Sequence, residues 1–354
     1  MHNRVRLYLS ACFYYSGLVS LMRWWTQRSS PGLVILYYHQ ASIQDLRRHW
    51  LYLRRHYRIL PLEQALEELS CSPAQVGPKQ DRRTLLAVTF DDGYEDNYSQ
   101  AFPLACELEV PITIFLIAGY LESGSAFWWA TRWLRLAQVE QVSWQGCTYR
   151  LDQQEERKAL AQVIDACFRQ ATSSDEREHL LTTLSQLLAV PSSLVPKEEP
   201  APLLTWAQVH EMQASGWVSF GAHTIHHPNL GMLKDPVEVA HEVGACRPLL
   251  EQQLDHPVRL FAYPFGSIGD SGPHAVKESG YTWAVTTRPG VNTSQSDPHL
   301  LRRRKMDGKH WLVVATETAG IWSFFSSLKN GVRLLMRRPI YSPERPGQIK
   351  RQII

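Results

Sequence analysis

Short, continuously apolar segments alternate along the chain with segments whose apolar residues recur at helical spacing. A strand in a parallel sheet is covered on both faces and therefore has a continuous apolar run. The run Gly32–Tyr38 is followed by a helical pattern over Asp45–Tyr57 and then by a second apolar run over Leu85–Phe90. This alternation predicts an α/β domain built on a parallel sheet. Further strands are expected at Pro111–Ala118, Trp217–Gly221, Leu260–Tyr263 and Thr282–Thr287.

Residues from about 122 to 200 interrupt this alternation. They begin with a tryptophan-rich stretch, continue as a polar helical pattern over Glu155–Val190 and end in a segment rich in Pro and Glu. We interpret them as a helical insertion in one α/β unit that extends over residues 31–315.

The composition excludes several classes of protein. Of the 354 residues, 44% are hydrophobic and 20% are charged, which excludes a disordered chain and a collagen-like chain. No long uncharged apolar run recurs, as it would in a multi-span membrane protein. The six cysteines are scattered without the spacing of a disulfide framework, which favours a reducing compartment.

The net charge of +3 is unevenly distributed. Residues 1–30 carry +4 without any acidic residue, residues 302–354 carry +9, and the residues between them carry −10. An acidic body with two basic ends requires an explanation, and one explanation is that the ends have a partner of their own. That partner is not expected to be a nucleic acid, because the basic residues belong to no recognisable reading motif.

The N-terminal segment, residues 1–30, is both basic and apolar. Leu7–Met22 contains no charge and is flanked by Arg4, Arg6 and Arg23. The uncharged run is shorter than the roughly 20 residues that a membrane span needs, and no convincing signal-peptide cleavage site follows it. Three interpretations stay open: an uncleaved anchor, a helix in the membrane interface, and a helix packed on the protein itself.

Residues 316–354 are predicted to form a basic amphipathic helix and a disordered tail. Over Ile321–Arg338 the apolar residues recur at helical spacing, while Lys329, Arg333 and Arg337 share another face. Such a helix binds an anionic membrane surface, or packs its apolar stripe on the domain as an ordinary surface helix. We therefore expect a protein that is cytoplasmic or peripherally associated with a membrane, with the N-terminal anchor still open.

Two acidic residues follow the second buried strand. Asp91 and Asp92 come directly after Leu85–Phe90 and precede Gly93. Catalytic residues of parallel α/β proteins lie at this end of the strands. Side chains of consecutive residues diverge, so the two carboxylates are expected to have different roles. The alternative is a turn or the start of a helix, where Asp-Gly is common.

Three histidines follow the predicted strand Trp217–Gly221. His223 and His227 stand four residues apart, so one turn can direct both at a single metal ion, whereas His226 is expected to face elsewhere. Neutral imidazole suits zinc and related transition metals. The pair alone is a weak signal, but with a carboxylate it forms the two-histidine and carboxylate set of a catalytic zinc.

These motifs and their order resemble those of a known family. The chain has TFDDG at residues 89–93 and HTIHH at residues 223–227. It resembles the polysaccharide deacetylases of the NodB-homology type, carbohydrate esterase family 4, over roughly residues 31–305. Three looser matches point to the branch that acts on exopolysaccharide and cell-surface glycans: LYYHQ at 36–40, FAYPFG at 261–266 and GYTWAVTT at 280–287.

The resemblance implies a fold and a metal centre. The fold is a distorted (β/α)7 barrel, here with the helical insertion, and the cofactor is one divalent metal ion, usually zinc. Asp92, His223 and His227 would be the metal ligands, and Asp91 would be the catalytic base. The chemistry is coherent, since a metal lowers the pKa of bound water toward about 7 and a neighbouring carboxylate can take the proton.

The resemblance also implies a catalytic role for the turn that follows the strand Leu260–Tyr263. The backbone N–H of Phe265 would help to hold the developing oxyanion. The family usually has Tyr at this position, but only the N–H is needed, so Phe is acceptable. Three aromatic side chains are expected to bind substrate by stacking on sugar faces: Tyr263, Trp128 and Trp129.

Ala262 departs from the family's pattern, because the family often has an Arg there that orients the catalytic base. Arg303 is our first choice for a cation that replaces it from another strand. Other candidates are Arg259, Arg288, Arg302 and Arg304.

The family's late Leu-x-His, whose His protonates the leaving amine, has no clean match in this chain. His39, at the end of the first strand, is the main candidate for this general acid, and His299 and His310 are alternatives. His39 can equally well be a buried structural histidine.

Together the motifs predict a metal-dependent hydrolase that removes N-acetyl groups from amino sugars of a polysaccharide or glycolipid. The same metal and base would also serve a hydrolase of another acyl amide or of an ester. A third interpretation is a catalytically weakened, glycan-binding barrel, which the missing Arg favours and the paired carboxylates disfavour.

Overall fold

The computed structural model describes residues 2–29, 32–71, 81, 83–123, 130–190, 203–322 and 324–325. The strands are β1 Leu33–Tyr38, β2 Arg58–Ile59, β3 Leu85–Phe90, β4 Ile112–Leu116, β5 Gln141–Trp144, β6 Cys147–Arg150, β7 Val218–Ala222, β8 Leu260–Ala262, β9 Trp283–Val285 and β10 Arg304–Lys305. The α-helices are α1 His2–Tyr15, α2 Leu18–Ser29, α3 Ile43–His56, α4 Leu62–Ser70, α5 Phe102–Leu108, α6 Ala118–Ser123, α7 Ala130–Leu136, α8 Gln154–Gln170, α9 Ser174–Leu187, α10 Trp206–Ala214, α11 Pro236–Gly244, α12 Cys246–Leu254, α13 Gly272–Glu278 and α14 Trp311–Thr318.

The main sheet is parallel and curls into a distorted barrel. Its order is β10-β1-β3-β4-β7-β8-β9, with the short β2 beside β3. The outer strands β9 and β10 approach each other through the segment that precedes β10. In this segment Leu301 donates a backbone hydrogen bond to Ala284 of β9 and accepts one from Thr286, which follows β9. The predicted (β/α)7 barrel is therefore confirmed. Each apolar run that predicts a barrel strand coincides with one to within a few residues, whereas the short strands β2 and β10 were not predicted.

Residue parity along the strands decides which side chains reach the barrel interior. In β1, Leu33 and Ile35 face inward, and in β8, Leu260 and Ala262 do the same; all four belong to one buried cluster. The alternate residues of these strands pack against the surrounding helices. Because successive side chains of a strand point to opposite faces, a residue's place in this alternation determines whether it can contribute to a site inside the barrel.

The helical pattern predicted over Asp45–Tyr57 corresponds to α3, which begins two residues earlier, at Ile43, and ends at His56. The side chain of Ser42 caps α3 by accepting a hydrogen bond from the Asp45 backbone. The apolar residues Leu46, Trp50 and Leu53, which recur at helical spacing, are all buried against the sheet. Burial of this face, rather than intrinsic propensity, holds the helix in place.

The insertion has its own small hydrophobic core. Trp133 of α7, Leu160 and Phe168 of α8, and Leu184 of α9 are buried together. The expected helices are present, but the antiparallel hairpin β5–β6 was not predicted. Its two-residue turn has positive φ at both Gln145 and Gly146, as a tight hairpin turn requires.

The N-terminal helices pack on the protein itself. Arg6 of α1 forms an ion pair with Glu317 of α14 at 2.7 Å, and the rings of Tyr14 and Trp311 are in contact. This is the contact that the third interpretation of residues 1–30 requires. Within the described part of the chain, no helix combines the length and apolarity of a membrane span.

The predicted helix and tail at the C-terminus lie mostly outside the described residues. The structure describes residues up to 322 and residues 324–325 in this region. The amphipathic helix over Ile321–Arg338 and the disordered tail therefore remain predictions.

Gly221 lies in β7 where two strands come close. A Cβ atom at this position would lie 2.7 Å from the ring of Phe115 and 3.1 Å from Leu260. We expect Gly221→Ala to lower the free energy of unfolding by about 1–3 kcal/mol, because the barrel interior has no space for the added methyl. Urea unfolding of the purified protein measures the change.

The matched control is Ser20→Ala, at an exposed position of α2. It should change the free energy of unfolding by less than about 0.5 kcal/mol. Equal stability of the two variants would show that the barrel interior adjusts to the extra methyl.

Candidate active site

A cavity of about 500 Å³ opens at the carboxyl end of the parallel strands. Residues that directly follow β1, β3 and β7 line it, together with residues of the turn after β8 and of β10. Six of the residues predicted for the site contribute to its wall: His39, Asp91, Asp92, His223, His227 and Phe265.

Asp91 of the cavity wall forms a buried ion pair with Arg303. The guanidinium nitrogens of Arg303 donate to the two carboxylate oxygens of Asp91 at 2.6 and 2.8 Å. Both side chains are almost fully buried. Asp91 keeps the inward parity of β3, since its backbone N–H still bonds to Tyr38 in the sheet. Arg303 therefore stands where the sequence analysis expects the replacement cation.

Two further N–H groups of Arg303 donate hydrogen bonds to its surroundings. Its Nε donates to the carbonyl of Thr286 at 3.1 Å, and one Nη also donates to the Thr89 hydroxyl. Burial alone would raise the pKa of Asp91, but the positive charge of Arg303 outweighs it and holds that pKa below its ordinary value. Asp91 is consequently a carboxylate in a fixed orientation at neutral pH.

Asp92, His223 and His227 converge on one point beside Asp91. One ligand atom from each residue lies within 4.8 Å of the others, and all three side chains are buried. Asp92 Oδ1 lies 3.4 Å from His223 Nε2 and 3.2 Å from His227 Nε2. Asp92 has a positive φ of 72°, which directs its side chain away from that of Asp91.

The chemistry of these three groups fits a divalent metal ion. His223 Nδ1 lies 2.7 Å from the carbonyl of Ala262 and must donate to it, so the tautomer that can bind a metal ion carries its lone pair at Nε2. Burial lowers the pKa of His227 to about 4, so the His227 ring is neutral at pH 7. Among the described residues, neither carboxylate oxygen of Asp92 receives a hydrogen bond of good geometry. Buried acceptors that face one another in this way are stabilised by a cation between them.

The HTIHH loop is held from behind by Glu242 of α11. This buried carboxylate accepts backbone hydrogen bonds from Ile225 and His226 and a third from His226 Nδ1 at 2.8 Å. His226 thus faces away from the other two histidines, as expected. Thr224 accepts a hydrogen bond from the backbone of His227. Sequence reasoning did not identify Glu242, because nothing in the local pattern of α11 marks it.

Four non-glycine residues around the cavity have a backbone with positive φ: Asp92, Thr224, His227 and Phe265. Such a conformation is costly for most residues and persists only where the surrounding structure enforces it. Its concentration at one cavity is typical of a functional site.

His39 lies on the cavity wall and is held by Asp307. Asp307 accepts from the backbone N–H of His39 at 2.9 Å and lies 2.8 Å from its Nδ1. Burial lowers the pKa of His39, but the hydrogen bond with Asp307 and the charges of Asp92 and Asp91 outweigh it, so the pKa is raised. Asp307 was not predicted, although it lies two residues beyond β10 and is acidic in an otherwise basic stretch.

Phe265 and the insertion form another part of the wall. The ring of Phe265 contacts His227 with a centroid distance of 4.7 Å. The guanidinium of Arg169, from α8 of the insertion, lies 5.2 Å from the centre of the Phe265 ring and also lines the cavity. The insertion therefore contributes a cation to the site, which the sequence analysis missed.

The prediction that Tyr263 stacks on substrate is wrong. Its side chain is fully buried and packs edge-on against Phe261 at 5.2 Å. Both residues occupy the outward parity of β8, which faces the helices, whereas Ala262 faces the barrel interior. Trp128 and Trp129 lie outside the described residues.

The alternative histidines and arginines have other partners. His299 bonds to the carbonyl of Tyr281, and His310 caps α14. Arg259 directly precedes β8, at the amino end of that strand, and pairs with Glu63 of α4. Of the candidates, His39 lines the cavity and Arg303 is the arginine that bonds to Asp91.

Comparison with known proteins agrees with the fold and the site. A family model described as polysaccharide deacetylase matches residues 79–284, more than half of the chain. The chain belongs to the polysaccharide deacetylase family. Members are carbohydrate esterase family 4 hydrolases, which act on the carbon–nitrogen bond of N-acetyl groups, so the expected family and reaction class are confirmed. The matched region contains Asp91, Asp92, His223 and His227 but ends before Arg303 and Asp307.

Individual relatives are distant in sequence. YxkH of Bacillus subtilis (strain 168), which is named for the same family, is 21% identical over 290 residues that cover 79% of this chain and 73% of that protein. The Streptococcus pyogenes deacetylase PplD, solved in complex with acetate, has a TM-score of 0.54 at 18% identity, covering 81% of this chain and 97% of its own. IcaB from Ammonifex degensii has a TM-score of 0.53 at 20% identity, covering 82% and 98%. These structural similarities support the barrel fold of this chain.

The ion pair between Asp91 and Arg303 predicts that removing the cation alone lowers the stability more than removing both charges. We expect Arg303→Met to lower the free energy of unfolding by about 3–5 kcal/mol, because it leaves Asp91 buried without a cation. Adding Asp91→Asn should recover part of this loss, since the uncompensated charge is removed. Denaturant unfolding of the two single variants and the double variant measures the coupling.

The control is Arg47→Met, which breaks an exposed ion pair with Glu107. Its effect should stay below about 1 kcal/mol. If the double variant is no more stable than Arg303→Met alone, the charge of Asp91 does not cause the loss.

Proposed function

We propose that the protein is a metal-dependent N-deacetylase of N-acetylated amino sugars in a polysaccharide or glycolipid. The observation that carries this proposal is the position of Asp91, held as a carboxylate by Arg303, beside the converging acceptors of Asp92, His223 and His227. Two neighbouring carboxylates with different partners can have two roles, as the reaction requires.

Asp92, His223 and His227 would hold the metal ion. When bound, a divalent ion polarises a carbonyl oxygen and lowers the pKa of water. Zinc is the ion that we propose, because two neutral imidazoles and one carboxylate are a common catalytic zinc set that leaves a position open. The Ala262 carbonyl orients the ring of His223, and Glu242 holds the loop between His223 and His227 through the backbone of Ile225 and His226, which favours a fixed ligand geometry.

Asp91 would accept the proton of the attacking water. Its charge is maintained by Arg303, which occupies both carboxylate oxygens and so restricts their orientation. The ordinary difficulty with a base of lowered pKa is its weakness. Position compensates for this here, because the base is fixed inside the same cavity as the metal ligands.

His39 would protonate the leaving amine. Asp307 engages Nδ1, so the proton that leaves must come from Nε2. The same carboxylate stabilises the protonated ring, which is the form that a general acid needs. The backbone N–H of Phe265 would contribute to binding the developing oxyanion, in agreement with its place on the cavity wall beside His227.

An N-acetylated glycan is the substrate class that we propose. The family acts on such glycans, and PplD, a solved relative of similar fold, binds acetate, which is the product of deacetylation. Acetate release from N-acetylglucosamine oligomers and lipid-linked N-acetylated glycans tests this, with zinc and with a chelator. Release that depends on zinc supports the proposal, whereas release from O-acetylated esters alone would favour the esterase interpretation.

The ligand assignment predicts which variants lose the metal. We expect about one zinc ion per chain in the wild-type protein, and loss of zinc in Asp92→Asn and His223→Ala because each removes a ligand atom. Metal analysis after zinc loading and gel filtration measures the content. The exposed His274→Ala is the matched control and should keep its zinc; stoichiometric zinc in His223→Ala would contradict the assignment.

The catalytic assignment predicts variants that bind zinc but turn over slowly. We expect kcat to fall about 10²–10⁴-fold in Asp91→Asn and by a similar factor in His39→Gln, because each removes a proton acceptor or donor. Steady-state acetate release and zinc content are measured on the same samples, and circular dichroism checks folding.

His299→Gln is the control for the general acid, since His299 bonds to Tyr281 away from the cavity. Its kcat should be that of the wild type. Unchanged turnover in His39→Gln would assign His39 to structure rather than to proton transfer.

A further inference from the structure

Apolar residues of α1 lie on its exposed side as well as on its packed side. The side that contacts α14 combines polar and aromatic contacts: Arg6 pairs with Glu317, the fully buried Ser10 lies 3.1 Å from the Thr316 hydroxyl, and the ring of Tyr14 contacts Trp311. The opposite side is exposed and mainly apolar. It consists of Val5, Tyr8, Leu9, Cys12 and Tyr15. A soluble domain normally buries such a face.

The exposed apolar residues continue on α2 and beyond α14. Leu21 and Trp24 are more than half exposed, and Trp25 is nearly so. The ring of Trp25 contacts Phe324, and Phe324 contacts Phe325, which stacks on Phe13 of α1. This chain of rings joins the three segments into one surface. We define the N-terminal aromatic surface as Val5, Tyr8, Leu9, Tyr15, Leu21, Trp24, Trp25, Phe324 and Phe325.

The clustering of these side chains is specific to this end of the molecule. In the described residues, nine of the fifteen exposed large hydrophobic side chains belong to the N-terminal aromatic surface. The other six are distributed among unrelated helices and loops. Single exposed apolar residues need no explanation, but a concentrated patch marks an interaction site.

The exposed charges beside this surface are positive. Residues 1–30 contain four arginines and no acidic residue. Arg6 and Arg23 are engaged with Glu317 and Tyr52, whereas Arg4 and Arg28 are exposed. The guanidinium of Arg28 lies 4.3 Å from the centre of the Trp24 ring. An arginine held against an exposed tryptophan places a cation at the edge of the apolar surface.

These properties favour an anionic bilayer over a second copy of the chain. Tyr and Trp side chains prefer the membrane interface, and cationic residues at its edge gain from anionic headgroups. A symmetric dimer would instead bring the same arginines of two copies together without an acidic partner from residues 1–30. Helices of 14 and 12 residues are suited to lie in the interface.

We propose that the N-terminal aromatic surface binds the interface of an anionic membrane and holds the protein there as a peripheral protein. The aromatic and aliphatic side chains enter the headgroup region, and Arg4 and Arg28 contact anionic lipid groups. The proposal does not depend on the proposed deacetylation, since neither α1 nor α2 contributes a residue to the wall of the catalytic cavity.

Vesicle co-sedimentation of the full-length protein tests this surface. We expect binding to vesicles of phosphatidylcholine and phosphatidylglycerol, weaker binding to phosphatidylcholine alone, and a decrease with salt. Arg4→Gln/Arg28→Gln should lower the partition coefficient for anionic vesicles about 30-fold. Trp24→Ser/Trp25→Ser should lower binding to both kinds of vesicle, because it removes apolar contacts.

Matched controls distinguish binding through this surface from nonspecific adsorption to vesicles. Met232→Ser/Val237→Ser also removes two exposed apolar side chains, and Arg150→Gln/Arg259→Gln removes two exposed arginines, both at other places. These variants should bind vesicles as the wild type does. Circular dichroism confirms that each variant is folded, and light scattering without lipid measures the oligomeric state.

Three outcomes would overturn the proposal. The first is that the wild-type protein binds neither kind of vesicle. The second is that the variants of the surface and the controls bind equally. The third is a stable dimer without lipid that Trp24→Ser/Trp25→Ser converts to a monomer, which would assign the surface to self-association.

Discussion

A carboxylate and a guanidinium face each other inside the barrel, where neither could be buried alone. Asp91 comes from β3, whereas Arg303 also bonds to Thr286 beyond β9 and precedes β10. The pair therefore links the middle of the sheet to the seam at which its outer strands approach. Because a buried charge without its partner is costly, the geometry of this seam and the protonation state of the proposed base depend on each other.

The sequence alone could predict the parts of the site that follow local rules. Asp91 and His223 directly follow strands that are recognisable from their apolar runs, and both remain bonded to a neighbouring strand, so parity directs them inward. Arg303 was the first choice because a family pattern demanded a cation and Ala262 could not supply it. Its contact with Asp91, across 212 residues of chain, rests on the sheet order that only the structure shows.

Other features follow no local pattern and were missed for that reason. Glu242 and Asp307 act through partners that are distant or unremarkable in sequence, and Arg169 reaches the cavity only because the insertion folds over it. The role of Tyr263 was predicted wrongly because the aromatic residues of FAYPFG do not show which of them point into the barrel and which point toward the helices. The exposed side of α1 was equally hidden, since apolar residues surround much of this helix and only the structure shows that Arg6, Ser10 and Tyr14 are the residues that contact α14.

The order of the chain gives the position of Arg303 a further consequence. Asp91 is synthesised more than two hundred residues before the guanidinium that neutralises it, and Asp307, which holds His39, comes later still. A growing chain therefore has to keep Asp91 hydrated or protonated, with the barrel open at its seam, until the last strand emerges from the ribosome. The site therefore reaches its final electrostatic state only when the barrel closes, after its last strand has been synthesised.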